Sequence, residues 1–244
     1  MIAETNAELW DEQAARRYDT TDGMFAPEVL GPTVDFLARL AGTGRALEFA
    51  VGTGRVAVPL AERGVPVSGI ELSEPMAAEL RKKVGDAIPV VMGDMATARA
   101  DGEFTLVYLV YNTISNLLSQ DEQVECFRNA ARHLAPGGYF VIELGVPSLR
   151  QLPPGQLACP FDVSENHLGF DTYDLVNQRL VSHHYWVGDA RVFHSPHRYA
   201  WPAELDLMAR IAGLVLHERV ADWSGAPFTD DSTSHVSVWQ RPAT

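Results

Sequence analysis

One acid and three small residues occupy every second position of the stretch Glu-Phe-Ala-Val-Gly-Thr-Gly at 48–54. This pattern can bind a small ligand. Ala50, Gly52 and Gly54 remove side-chain bulk, so the backbone can turn sharply and approach a ligand closely. The carboxylate of Glu48 can accept a cationic group of that ligand, or alternatively form a salt bridge to a nearby helix. The stretch therefore predicts a ligand-binding turn with an acid beside it.

A buried strand is predicted before this turn and a helix after it. Leu47 and Phe49 supply the apolar side chains of the strand. The helix is predicted to span Arg55 to Arg63 and to end at Gly64, with Pro59 tolerated in its first turn. Backbone N–H groups and the positive end of the helix dipole then face the turn, as in known sites for anionic ligands.

Two further acids follow predicted strands. Glu71 ends a strand predicted at 65–71, and Asp94 comes directly after one predicted at 88–92. A carboxylate accepts hydroxyl or amine donors, and parallel strands bring their carboxyl ends to one edge of a sheet. Alternatively, Glu71 is an exposed surface acid and Asp94 a turn residue beside Gly93.

The chain alternates strands and helices as far as residue 146. A fourth strand is predicted at 104–110 and a fifth at 139–144, and the helix between them starts at Ser119 and is ended by Pro-Gly-Gly at 136–138. Five alternating strands, with two more at 214–223 and 234–240, predict an α/β fold with a doubly wound, seven-stranded, mostly parallel sheet.

Two segments are predicted to lie outside this alternation. Helices at 7–18 and 27–40 precede the first strand, so residues 1–42 are predicted to form a helical lid. Short strands at 168–175, 179–187 and 191–200 predict an antiparallel β insertion over residues 147–200, above the carboxyl edge of the main sheet. Residues 1–146 and 201–244 then form the main domain.

Composition argues against several classes of function. Nineteen basic and 32 acidic residues give a formal charge of −13, which disfavours nucleic acid as a partner. The two cysteines form no C-x-x-C pair, so neither a disulfide framework nor a zinc site is predicted. No apolar run is long enough to span a membrane and no signal peptide is apparent, so a cytoplasmic location and no membrane contact are expected.

The motif Glu48-x-Ala50-x-Gly52-x-Gly54, followed by Glu71 and Asp94 at later strand ends, resembles that of the class I S-adenosylmethionine-dependent methyltransferases. The resemblance covers residues 7–146, and the closing helix and strand pair fit the usual end of that fold. Most members have glycine where this chain has Ala50. The resemblance implies a Rossmann-like sheet and S-adenosylmethionine as cofactor.

The resemblance also implies roles for individual residues. Glu71 would hold the ribose hydroxyls, Asp94 the adenine amine, and Glu48 the methionine amine. Arg55 would contact the amino-acid end of the cofactor, or only solvent, and Tyr18 would fold over the cofactor or only pack on the lid. The full set implied for the cofactor is Tyr18, Glu48, Ala50, Gly52, Thr53, Gly54, Arg55, Glu71, Leu72, Met76, Gly93, Asp94, Met95, Val110, Tyr111 and Asn112.

Transfer of a methyl group from a sulfonium is an in-line displacement that needs no covalent catalyst. The insertion resembles those of bacterial enzymes that methylate amines of sugars or amino acids, which favours a nitrogen acceptor on a small molecule. A hydroxyl acceptor would need a base, for which Tyr111, His183 and His184 are the catalytic candidates. Tyr18, Asn112, Asn116, Glu143 and His194 are predicted to contact the acceptor.

Several alternatives stay open on sequence alone. The spacing Gly52-x-Gly54-x-x-Ala57 also fits an NAD(P)-dependent dehydrogenase, and a non-catalytic protein could keep the same binding fold. A metal pair at His194 and His197 is not predicted, because Pro196 prevents a helix that would align the two rings. Either a monomer or a homodimer is compatible with the sequence.

Overall fold

The computed structural model describes residues 9–20, 23–188 and 190–243. The first residues of the predicted N-terminal helix, 7 and 8, lie outside this described part. The helices are α1 Glu12–Tyr18, α2 Pro27–Ala41, α3 Ala57–Glu62, α4 Glu74–Val84, α5 Gln120–His133 and α6 Pro202–Ile211. Short 3₁₀ turns cover Thr113–Asn116 and Leu149–Gln151.

The strands form two sheets. The strands of the main sheet are β1 Ala46–Phe49, β2 Val67–Glu71, β3 Val90–Met92, β4 Phe104–Leu109, β5 Leu134–Gly145, β10 Val215–Val220 and β11 Ser234–Gln240. The second sheet contains β6 Ala158–Val163, β7 His167–Asp174, β8 Arg179–Trp186 and β9 Arg191–Arg198.

The main sheet has the order β10-β11-β5-β4-β1-β2-β3. Strands β1 to β5 are parallel, and β11 runs antiparallel to both of its neighbours. The strand order reverses between β1 and β4, which is where open sheets of this kind bind ligands. The predicted seven-stranded, mostly parallel α/β fold is confirmed.

Buried side chains fill both faces of the main sheet. One cluster, which includes Phe104, Phe127 and Trp239, packs between the sheet and the layer of α5 and α6. The other, which includes Leu37 and Leu60, packs under α2, α3 and α4. Parallel strands covered on both faces carry apolar residues without alternation, and all four residues of β1 are buried. The sheet is therefore a rigid platform for the side chains at its edge.

The prediction that Pro136-Gly137-Gly138 ends a helix is wrong. Helix α5 already ends at His133, and the strand β5 begins at Leu134, opposite Phe104. The proline and glycines form an irregularity inside β5, where the Gly137 N–H donates to the Arg241 carbonyl at 2.9 Å. The Arg241 guanidinium in turn donates to the Leu134 carbonyl and so closes the end of the helix.

The second sheet is antiparallel, with the order β6-β7-β8-β9. The sequence predicted three of its strands and missed β6. At the end of β9, the buried Arg198 donates to Gln123 of α5 at 2.6 Å and pairs with Glu204 of α6 at 2.6 Å. These contacts attach the second sheet to two of the helices that cover the main sheet. Within the described part of the chain, no helix is long and apolar enough to cross a membrane.

Candidate functional site

A cavity of about 450 Å³ lies at the carboxyl ends of β1, β2, β3 and β4. This volume falls in the range of known small-molecule sites. Its walls come from the glycine turn after β1, the residues that follow the other three strands, and the segment around α1. The cavity therefore lies where the sequence predicted a binding site.

The small residues of the turn serve different purposes. Ala50 and Gly52 line the cavity with φ angles of +52° and +58°, in the left-handed region that favours glycine. Gly54 does not line the cavity. A Cβ on Gly54 would meet Leu80 of α4 at 2.4 Å, so this glycine allows the turn to pack on the helix. The backbone conformation at Ala50 also explains why glycine suits that position.

Glu71 lies at the end of β2 with 6% of its surface exposed. One carboxylate oxygen accepts from the Gly52 N–H at 2.8 Å and the other from the Ser73 N–H at 2.8 Å. Burial raises the pKa of Glu71, and these backbone N–H groups oppose that rise. Each oxygen has a second lone pair, so the fixed carboxylate can also accept two donors from a ligand.

Glu48 lies at the base of the cavity and is 2% exposed. Its carboxylate accepts a hydrogen bond from the hydroxyl of Tyr108 on β4 at 2.9 Å. Burial raises the pKa of Glu48 to about 8, against the opposing effects of the Tyr108 hydroxyl and the Arg55 guanidinium. A cationic ligand group would favour the charged form of this carboxylate.

Arg55 stands between two tyrosines at the cavity wall. Its guanidinium lies 5.1 Å from the ring centroid of Tyr111, and its charge opposes the rise in the pKa of Tyr18 that burial causes. The Tyr18 ring packs edge-on against Trp10 and Phe25, with centroids 5.6 and 6.1 Å away. Burial raises the pKa of Tyr18. These side chains close the cavity on the side of α1.

The other end of the cavity is apolar apart from Asp94. One oxygen of Asp94 accepts from the Ala96 N–H at 2.7 Å, which fixes the side chain at the cavity wall. Leu72, Met76 and Met95 line the same end. A flat ring with a polar edge fits this combination of side chains.

Eleven of the sixteen residues predicted to bind the cofactor line the cavity as described above. Gly93 and Val110 also line it. Thr53 does not, because its hydroxyl donates to Asp19 at 2.6 Å. Asn112, like Gly54, does not line the cavity. Its side-chain oxygen accepts from the Gly145 N–H at 2.6 Å.

Only some of the residues predicted for acceptor binding and catalysis line the cavity. Tyr18, Tyr111 and Asn116 line the cavity, whereas Glu143 does not. His183, His184 and His194 lie in the second sheet, also outside the lining. Their predicted roles in catalysis and acceptor binding stay predictions.

Four histidines of the second sheet form two hydrogen-bonded pairs. His183 and His194 are linked by their Nδ1 atoms at 2.9 Å, and His184 Nδ1 lies 3.0 Å from His167 Nε2. His167 also bonds Asp162 at 2.6 Å. In residues 9–20, 23–188 and 190–243, no group of three or more His, Cys, Asp or Glu side chains is arranged to hold a metal ion.

Several residues that line the cavity or bond to its lining were not predicted. Tyr108, the partner of Glu48, gave no signal in the sequence beyond its place in a buried strand. The residues predicted to bind the cofactor or the acceptor also did not include Trp10 and Ser73, which line the cavity. Thr113, Leu117, Leu118 and Glu122, which complete the wall after β4, also line the cavity. The mostly polar residues 111–116, directly after the predicted strand at 104–110, were the one feature of the sequence that indicated this part of the wall.

The chain is similar in sequence to known methyltransferases. Residues 46–138 match a family described as methyltransferase domain. Over 240 residues the chain is 30% identical to the cypemycin N-terminal methyltransferase of a Streptomyces species, which covers 96% of this chain and 98% of that protein. It is 32% identical over 97 residues to dTDP-3-amino-3,4,6-trideoxy-alpha-D-glucopyranose N,N-dimethyltransferase of Streptomyces venezuelae, or 40% of each chain.

Solved structures of methyltransferases have the same fold as this chain. The CcbJ methyltransferase of Streptomyces caelestis superposes with a TM-score of 0.85 at 37% identity, over 99% of this chain and 100% of that one. CalS10 of Micromonospora echinaspora, an amino pentose methyltransferase solved with S-adenosylmethionine bound, has the same fold, with a TM-score of 0.71 at 20% identity over 93% and 95%.

Proposed function

The chain belongs to the class I S-adenosylmethionine-dependent methyltransferases, and we propose that it transfers a methyl group from this cofactor to a nitrogen atom of a small molecule. The observation that carries the proposal is the cavity at the switch point of the sheet, with Glu48, Glu71 and Asp94 held at the ends of three strands or directly after them.

The residues present fit the cofactor. The two oxygens of Glu71 suit a pair of ribose hydroxyls, since backbone N–H groups already fix the carboxylate. Asp94 suits the adenine amine, with Leu72, Met76 and Met95 against the ring. Glu48 suits the methionine ammonium, because a buried carboxylate needs a cationic partner to ionise. Arg55 suits the carboxylate of the same amino-acid end.

When bound, S-adenosylmethionine supplies a methyl group on an electron-poor sulfonium. The chain then has to align the acceptor with that methyl group and exclude water. Tyr18 and Trp10 shield the cavity on the side of α1, and Tyr111 forms the wall after β4. We propose that the second sheet covers the acceptor end, since β9 contacts the 3₁₀ turn at Thr113–Asn116, which lines the cavity in part.

The side chains in the cavity favour nitrogen over oxygen as the acceptor. A hydroxyl acceptor needs a base, whereas an amine that has lost its proton attacks unaided. Among the described residues, the cavity lining includes no histidine. Burial raises the pKa of Tyr18, so its hydroxyl is a poor base at neutral pH. The named relatives include an N-terminal methyltransferase and an N,N-dimethyltransferase of a dTDP-linked amino sugar, which supports the same choice.

The test is transfer of a labelled methyl group to matched acceptors. The wild-type chain would be incubated with methyl-labelled cofactor and a panel of nucleotide-linked amino sugars and peptides with free N-termini. Each amine would be paired with its hydroxyl analogue. We expect label in at least one amine and in none of the hydroxyl partners. Label in a hydroxyl analogue alone would identify an O-methyltransferase, and cofactor binding without transfer to any acceptor would favour a non-catalytic protein.

We also propose that α1 acts as a lid fastened to the glycine turn. Asp19, just after α1, accepts from the Thr53 hydroxyl at 2.6 Å and pairs with Lys83 at 2.6 Å. Lys83→Met should speed dissociation of S-adenosylhomocysteine by about 1.5- to 5-fold, which is the range for a partly exposed ion pair. Stopped-flow displacement measures this rate.

The neighbouring Lys82 offers a matched control. It lies on the same helix and pairs with Glu79 at 2.7 Å, away from α1. Lys82→Met should leave the dissociation rate unchanged. Equal rates for both variants would show that the ion pair of Lys83 does not hold the lid.

A further inference from the structure

Two consecutive residues after β4 adopt a backbone conformation that is uncommon outside glycine. Tyr111 has a φ of +57° and Asn112 a φ of +62°. Side chains with a Cβ populate this left-handed region sparsely, so the surrounding contacts must hold the turn in place. The turn lies between Val110 and Thr113, both of which line the cavity.

Glu143 on β5 provides most of those contacts. One of its carboxylate oxygens accepts from the Tyr111 N–H at 2.7 Å, and its backbone carbonyl accepts from the Asn112 N–H at 3.3 Å. The other carboxylate oxygen accepts from the indole N–H of Trp223 at 2.8 Å. Asn112 adds a return contact, since its side-chain oxygen accepts from the Gly145 N–H.

The turn determines where the Tyr111 ring lies. That ring lines the cavity and faces the Arg55 guanidinium at 5.1 Å, and Arg55 lines the cavity as well. A different backbone conformation at Tyr111 would move its ring away from this group. Glu143 itself is outside the lining, so any influence it has on the reaction passes through the turn.

We propose that Glu143 is a positioning residue for methyl transfer, which holds Tyr111 and Asn112 in the left-handed conformation that places the Tyr111 ring at the acceptor end of the cavity. This role differs from the direct acceptor contact predicted from the sequence. The inference rests on the proposed function. It assigns the binding of the cofactor to other residues, namely Glu48, Glu71 and Asp94.

The variant Glu143→Gln tests the arrangement with little change in shape. Glutamine has one accepting oxygen, whereas two N–H groups point at this side chain. One of these donors must then face the glutamine NH₂, and the turn loses its fixed position. We expect kcat to fall roughly 10- to 100-fold, the range for a small misplacement near the reacting atoms. The Kd for S-adenosylhomocysteine should change less than about fivefold, the upper limit for an exposed cation–π contact such as that between Arg55 and Tyr111.

A second substitution should restore activity. Trp223→Phe removes the competing indole N–H and keeps a ring beside Phe36, whose centroid lies 5.5 Å away. The glutamine oxygen is then free to accept from Tyr111. The double variant Glu143→Gln with Trp223→Phe should recover most of the lost kcat, although it carries one more substitution. A merely structural role of Glu143 predicts the opposite, a further loss.

The amide signal of Tyr111, seen by ¹⁵N-tyrosine labelling, reports the turn without any acceptor. Its proton should shift upfield in Glu143→Gln and return in the double variant. Unchanged kcat and amide shift in Glu143→Gln, or no recovery in the double variant, would overturn the proposal. If the wild-type chain methylated no acceptor, the proposed function would fail, while the amide shifts would still test whether Glu143 holds the turn.

Discussion

Replacing Glu71 with alanine is expected to weaken binding of S-adenosylhomocysteine by about 5- to 150-fold, or about 1–3 kcal/mol. The variant removes the acceptor that we assign to the two ribose hydroxyls. It also frees the N–H groups of Gly52 and Ser73, which the carboxylate now fixes at 2.8 Å each. Isothermal calorimetry on the purified variant measures the change directly.

Glu74 gives the matched control for this prediction. It lies three residues further along the chain, at the start of α4, pairs with Arg81 and leaves 64% of its side chain exposed. Glu74→Ala should change the affinity less than about twofold, as is usual for an exposed surface substitution. If Glu71→Ala bound as tightly as the wild type while remaining folded, the ribose would have to lie elsewhere.

Affinity for the cofactor should also rise steeply with pH below about 8. Burial raises the pKa of Glu48 to about 8, so the carboxyl is neutral in the free protein at lower pH. The methionine ammonium would bind the ionised form, and each pH unit below the pKa then costs up to about tenfold in affinity. Binding should be at most about 50-fold tighter at pH 8 than at pH 6. Calorimetry in buffers of different ionisation enthalpy should show proton release on binding.

Two variants isolate this effect from titration of the ligand itself. Glu48→Gln cannot ionise, so its affinity should follow only the titration of the ligand. Tyr108→Phe removes the hydroxyl that favours the charged carboxylate, so the rise in affinity should move to higher pH. A wild-type profile parallel to that of Glu48→Gln would show that Glu48 does not titrate on binding.

The acids of the site could be predicted because each one is marked locally. Glu48, Glu71 and Asp94 end predicted buried strands or directly follow them, and parallel strands bring such positions to one edge. The partner of Glu48 could not be predicted in the same way. Tyr108 lies opposite Glu48 only because β4 pairs with β1, and that pairing depends on the strand order. No local pattern in the sequence gives that order.

Two wrong or missing assignments have related causes. Pro-Gly-Gly at 136–138 has the composition of a helix end, but Arg241, more than a hundred residues away, closes α5 at His133. Strand β6 was missed because Pro160 lies within it, at an edge of the second sheet where the N–H of that position is not needed. In both cases a proline that is typical of the end of an element lies inside a strand.

The central claim is that this cavity binds S-adenosylmethionine through acids at the ends of three parallel strands. Titration of the wild-type chain with S-adenosylhomocysteine, and in parallel with NADH, tests it most directly. We predict saturable one-to-one binding of S-adenosylhomocysteine and no heat from NADH. Saturable binding of NADH, with no binding of S-adenosylhomocysteine or S-adenosylmethionine, would contradict the claim.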